Sequence, residues 1–146
     1  MSMTDGQQAL YEHIVANGSG SRDTLVSLIK ALSGDMVLNV SPSTVSESAG
    51  STGFTQAITV TLKTSGGEVC SWYNGPVTLA IADTSTAGTA SISPAAGSHD
   101  MTDGVLTVTL TGSAAAWVAA DTATLTVSAA IFGYELTVAT CVVTVS

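Results

Sequence analysis

A mainly β chain folded as a β-sandwich, with a short arm of two helices at its N-terminus, is what this sequence predicts. Three observations carry the prediction. From residue 36 onward, apolar side chains recur at every second position in short runs. Clusters of Gly, Pro, Asp and Ser separate those runs. Hydroxyl side chains abound, 22 Thr and 19 Ser against 3 Lys or Arg and 11 Asp or Glu, as suits strands whose outer faces carry hydroxyls in place of ion pairs.

The arm occupies residues 1–34. In GQQALYEHIVANG, Leu10 and Ile14 lie one helical step apart, as do Tyr11 and Val15. Thr4 or Asp5 can cap the start, and Asn17–Gly18 can end the helix in left-handed geometry. A second helix opens at Ser21 or Asp23. There Leu25, Leu28, Ile29 and Leu32 fall at i, i+3, i+4 and i+7, with Lys30 near the end that the helix dipole makes attractive to cations. So short a segment buries too little surface to offset its ordering entropy, so the stripe needs a cover. The sandwich of the same chain, a second subunit in a homo-oligomer (a trimer is favoured) and the surface of a larger assembly all remain open. The arm reads as an attachment or oligomerisation device whose interface is Leu25, Leu28, Ile29 and Leu32.

Residues 35–146 form the second unit, with seven or eight strands expected. MVLNVSP opens it and ends near Pro42. In TQAITVTLKTSGG, Ile58, Val60 and Leu62 alternate with Thr59, Thr61 and Lys63. EVCSWY reads as a short strand, PVTLAIAD as another, and a further short one surrounds Ala90–Ile92. A loop over 94–103 follows, and Asp103–Gly104 is a strong turn pair that directs the chain into GVLTVTLTG. DTATLTVSAAIF and YELTVATCVVTVS complete the set. Trp117 is expected to fill the core.

The matches at Ile58–Leu62, Pro76–Leu79, Gly88–Ile92, Thr102–Leu110 and Thr124–Val127 resemble, in their order, a bacterial immunoglobulin-like domain of the invasin/intimin type. The resemblance covers 36–146. It departs at Ser65–Gly67, which lacks the usual Asp, at a Thr–Asp turn one residue tighter, and at Cys70–Trp72–Tyr73, which has no clear counterpart. The resemblance implies an immunoglobulin-like sandwich. Such domains form stalks in outer-membrane adhesins and accessory domains on tail-tube, capsid and decoration proteins of tailed phages.

Charge narrows the functional classes. With Arg22, Lys30 and Lys63 the only cations and a formal charge of -8, no face can track a phosphate backbone, so nucleic acid is not an expected partner. No run approaches 18 uninterrupted apolar residues, and MSMTDGQQAL lacks the marks of a secretory signal. Synthesis in a cytoplasm, and release within a virus particle, is the expected route.

Chemistry-bearing clusters are scarce. Cys70 and Cys141 lie outside any metal-binding spacing and are either two buried thiols or one disulfide. His13 and His99 show no ligand spacing. Asp83, Asp100, Asp103 and Asp121 sit at strand ends but do not match a calcium loop. No serine stands in a nucleophile motif. Neither cofactor nor catalytic group is expected. Trp72 and Tyr73, beside Asn74–Gly75, form a candidate recognition surface for a partner or glycan, or else cover the arm.

Two functions are therefore expected to compete. One is a structural virion protein, a capsid decoration or head-fibre protein bound to the major capsid protein lattice. The other is a non-enzymatic recognition module for a cell-surface glycan or protein, or a tail-associated accessory protein. The two coexist if an outward domain also touches a host surface.

Overall fold

A computed structural model gives the fold of residues 36–131 and 134–146. The period-two runs become strands β1 (Met36–Ser41), β2 (Thr44–Glu47), β3 (Phe54–Thr64), β4 (Pro76–Asp83), β5 (Ala90–Ser93), β6 (Gly97–Asp100), β7 (Val105–Gly112), β8 (Thr122–Ser128), β9 (Ala130–Ile131), β10 (Tyr134–Glu135) and β11 (Ala139–Val145). One sheet has the order β1-β3-β7-β5 and the other β2-β11-β8-β4-β6, while β9 and β10 pair as a small ribbon. All pairings are antiparallel except β11 with β2.

Alternation decides which faces meet. Met36, Leu38 and Val40 of β1, Ile58, Val60 and Leu62 of β3, and Val108 and Leu110 of β7 are buried from the first sheet. Val77 and Leu79 of β4, Ala123, Leu125 and Val127 of β8, and Cys141, Val143 and Val145 of β11 are buried from the second. A Val or Leu buried this fully contributes about 1.5–3 kcal/mol, so the apolar interior is what holds the two sheets together. Trp117 joins that core at 2% exposure, its ring edge-on to Phe54 with centroids 4.9 Å apart. Its indole N–H donates to the Ser113 carbonyl at 2.9 Å. A Cβ at Gly88 would run into the Trp117 ring, so only glycine fits there.

Each side of the sandwich is closed by a stretch of chain that changes sheets midway. On one side β1 pairs with β3 in the first sheet, and β2 then pairs with β11 in the second. On the other, β5 pairs with β7 and β6 then pairs with β4. Pro42 and Pro94 stand at the two changeovers, each after a cis Ser–Pro peptide. Proline has no N–H to offer a ladder, so pairing is interrupted where it sits.

Several expectations need correction. EVCSWY is not a strand: Val69 makes one isolated bridge to Lys63, and the chain then coils. Its backbone bonds go to turns and neighbours, Cys70 N–H to the Leu62 carbonyl at 2.9 Å and Tyr73 N–H to the Cys70 carbonyl at 3.0 Å. The expected loop over 94–103 contains β6, whose GSHD sequence has no apolar alternation to announce it. YELTVATCVVTVS divides into β10 and β11. The two expected helices, and with them Leu25, Leu28, Ile29, Leu32 and His13, lie outside the described residues.

Candidate functional site

The strands run between two poles of different character. At the proximal pole Met36 opens β1, opposite Thr64. The coil over 65–75, the turn over 101–104 and the segments 129–131 and 134–138 gather there, as the pairs Pro76 with Asp100, Thr78 with Ser128, and Ala139 with Val127 require. The distal pole holds the segments around Gly50, Ser85 and Ala115 and ends at Ser146, whose carbonyl accepts from the Ala49 N–H at 2.9 Å.

The proximal pole is locked around Asp103–Gly104. Thr102 and Val105 exchange hydrogen bonds at 2.9 Å in both directions, closing a two-residue hairpin turn. Asp103 at φ 50 and Gly104 at φ 75 both adopt left-handed backbone. The Asp103 N–H donates to Asn74 Oδ1 at 2.9 Å, the Gly104 N–H to the Tyr73 carbonyl at 2.8 Å, and the Leu62 N–H to the Gly104 carbonyl at 2.8 Å. A Cβ at Gly104 would sit 2.5 Å from the Cys70 carbonyl oxygen. The turn thus carries no reactive group; it pins the 70–75 coil to β3.

The two candidate aromatics part company here. Tyr73 is buried, and its hydroxyl donates to the Pro76 carbonyl at 2.7 Å. Burial, and then the nearby Asp100 carboxylate, push its phenol above the ordinary range. Tyr73 is therefore part of the core. Trp72 is half-buried and meets Tyr73 edge-on, 5.9 Å between centroids, so it is the member of the pair with surface to offer.

Both cysteines are buried free thiols, with no bond between them. Burial, followed by the charge of Glu68, pushes the Cys70 thiol from 9.0 to about 11. Burial also raises Cys141. A thiol so shifted is almost wholly protonated at neutral pH and is a poor nucleophile. Among the described residues no group of His, Cys, Asp and Glu converges on a metal position, and no helix is long and apolar enough to cross a membrane.

The carboxylates are used differently at the two poles. Distally, Asp83 Oδ2 accepts from the Ala90 N–H at 2.8 Å and Asp121 Oδ2 from the Val118 N–H at 3.0 Å. Proximally, Glu68, Asp100, Asp103 and Glu135 are exposed. His99 is spent locally, its Nε2 donating to the Ala95 carbonyl at 2.6 Å.

Apolar exposure is concentrated in the same place. Among the described residues the exposed large hydrophobics are Val37, Val69, Val118 and Val138, and all but Val118 are proximal. A groove of about 270 Å³ opens at Val138, with Leu136, Val138, Ala129 and Ala130 along it and Thr78, Ser128 and Glu135 at its polar edge. Sequence reading did not find this groove. The residues that form it are spread over four strands, β4, β8, β9 and β10, and the coil beside them, and no local period marks them.

No protein-family profile and no curated protein matches the chain. Solved structures similar to it include WR4, an MSP family member of Caenorhabditis elegans, at 10% identity and a TM-score of 0.47, covering 75% of this chain and 98% of that one. SSP-19, an MSP-domain protein like family member from the same organism, is similar at 14% identity and a TM-score of 0.43, covering 74% and 98%.

Proposed function

We propose that this chain is a non-enzymatic structural protein of a virus particle, a capsid decoration or head-fibre protein of a tailed phage. Its arm and proximal pole face the major capsid protein lattice, and its sandwich projects outward. The observation that carries this reading is the contrast between the poles. The pole at which β1 begins has exposed valines and exposed carboxylates, whereas at the far pole Asp83 and Asp121 turn their carboxylates onto backbone N–H groups of the sandwich. A body built this way has a base and a tip. The resemblance to immunoglobulin-like domains of the invasin/intimin type supports the same reading, as does the stripe of Leu25, Leu28, Ile29 and Leu32. β3, with 11 residues, gives the projecting body a length of about 35 Å. Three copies grouped about a lattice axis would multiply individually weak contacts.

The test is to add purified protein to capsids lacking it and image them. The reading expects saturating, symmetric density with the proximal pole inward. Capsids that stay bare overturn it. Binding should also raise the capsid's resistance to heat, because a ligand of the assembled lattice stabilises it by mass action.

A second reading, a recognition module for a surface glycan or protein, draws on the half-buried Trp72 beside exposed Asn74. It expects Trp72 fluorescence to change on binding a host-surface extract while bare capsids stay bare.

A further inference from the structure

We infer that Asn74–Gly75, in the coil at the proximal pole, is a modification site: the Asn74 amide leaves as ammonia through a cyclic imide with Gly75, in the folded protein and with water as the only co-reactant. Three observations lead there. First, activation: the Asp103 N–H donates to Asn74 Oδ1 at 2.9 Å, so a backbone donor already sits on the oxygen that takes negative charge when the amide carbon is attacked. Second, the leaving group is lightly held. Asn74 Nδ2 donates to the Trp72 carbonyl at 3.4 Å, a long and weak bond, and Asn74 is exposed to water. Third, the nucleophile is unscreened, because Gly75 carries no side chain. Packing fixes that glycine: a Cβ there would lie 2.9 Å from the ring of Tyr73, which is buried and tied by its hydroxyl to the Pro76 carbonyl at 2.7 Å. Sequence alone does not single the pair out, since Asn17–Gly18 repeats it. Asn39, the remaining asparagine, precedes the β-branched Val40 within β1.

The Gly75 nitrogen passes its proton to solvent hydroxide and bonds to Asn74 Cγ, while Oδ1 takes the negative charge beside the Asp103 N–H. Collapse of that oxyanion breaks the Cγ–Nδ2 bond, and Nδ2 leaves as ammonia with a proton from water. Water then opens the imide. Opening at Cγ gives aspartate; opening at the main-chain carbonyl carbon gives isoaspartate, whose chain runs through Cβ and Cγ. Nothing is oxidised or reduced. Both products add a negative charge next to Asp103, at a pole where Glu68 and Asp100 are exposed too. Isoaspartate also lengthens the main chain between Tyr73 and Gly75, whose carbonyls accept from the Gly104 N–H at 2.8 Å and the Met101 N–H at 2.9 Å. Those two bonds cannot both keep their geometry, so the coil comes away from the turn over 101–104. The reaction alters the pole whatever that pole binds, so it stands or falls separately from the capsid reading.

Timed mass spectrometry of the full chain tests it. Folded protein is held in mildly alkaline buffer at body temperature beside the same protein unfolded in guanidinium chloride, and fragmentation locates each gain of one mass unit. The expected result is conversion at Asn74 no slower in the folded chain than in the unfolded one, with isoaspartate among the products and Asn39 unchanged in the folded chain. Asn74→Ser, which cannot close the imide, should keep residues 72–76 at constant mass. Hydrogen exchange at Gly104 and Met101 should be faster in the isoaspartate form, with β8 unchanged. Two outcomes overturn the inference. One is slower conversion at Asn74 in the folded chain, which would mean that the fold shields the amide. The other is unchanged exchange at Gly104 and Met101 in the isoaspartate form, which would mean that the modification leaves the pole intact.

Discussion

Gly104 shows how much a single position can be asked to do. It stands in left-handed backbone at φ 75 and presses against the Cys70 carbonyl, so a side chain is excluded twice over. Gly104→Ala should lower unfolding free energy by about 2–4 kcal/mol, measured by urea denaturation, because the strain of positive φ adds to a backbone clash. Asp103→Ala should cost less, since the φ penalty is partial and no clash accompanies it. Asp–Gly as a turn was legible from the residues alone; the contact with Cys70 was not, because it joins positions that only the tertiary fold brings together. Cys70 also sets an alkaline limit. Its thiol gives up a proton near 9.0 when unfolded but only at about 11 when folded. Between those values the unfolded chain binds fewer protons than the folded one, so stability is full below pH 9 and falls as pH rises through that window. Tyr73, also shifted upward, adds to the fall. The melting temperature should therefore drop progressively above pH 9, and Cys70→Ala should flatten that drop.

Elements were legible wherever burial imposed alternation. β3, β4, β7 and β8 could be read because their buried positions are mostly Val, Ile, Leu or Ala, while Thr is the commonest residue on their outward faces. β2 and β6 could not. TVSE and GSHD lie at sheet edges with half-exposed faces, so nothing in their residues distinguishes them from coil. The error at EVCSWY has the opposite cause. β-branched and aromatic residues suggested a strand, yet Tyr73 is buried by a turn that sends its hydroxyl to Pro76. Side chains also tie elements together. Asp83 ends β4 in the second sheet and accepts from the Ala90 N–H that opens β5 in the first. Asp83→Ala should cost about 1–3 kcal/mol, because it leaves a part-buried N–H unpaired. Faster hydrogen exchange at Ala90 and Ile92, with β8 unchanged, would localise the effect.

At the scale of the molecule, the described residues share a single core. From Met36 to Val145 the buried apolar residues form one cluster. Residues 36–146 alone should therefore unfold in a single cooperative transition by circular dichroism, yet fail to decorate capsids that the full chain decorates. Noncooperative melting of that fragment would show that the arm is part of the fold. The groove and the division of labour between the poles were the part of the candidate site hidden from sequence. Four exposed carboxylates and three valines come to one end only once β1, β6, the 65–75 coil, the 101–104 turn and residues 134–138 meet there.

The sheet changes at Pro42 and Pro94 bear on crowding. A strand edge that runs the full height of a sandwich is a template on which a neighbour can add its own strand. Here, among the described residues, the outer edges are cut into pieces no longer than the 6 residues of β1, and the other three, β2, β5 and β6, are only 4 residues long. Too short to zip, such edges let many copies stand shoulder to shoulder at high local concentration as separate bodies, each facing its neighbours without merging into a common sheet.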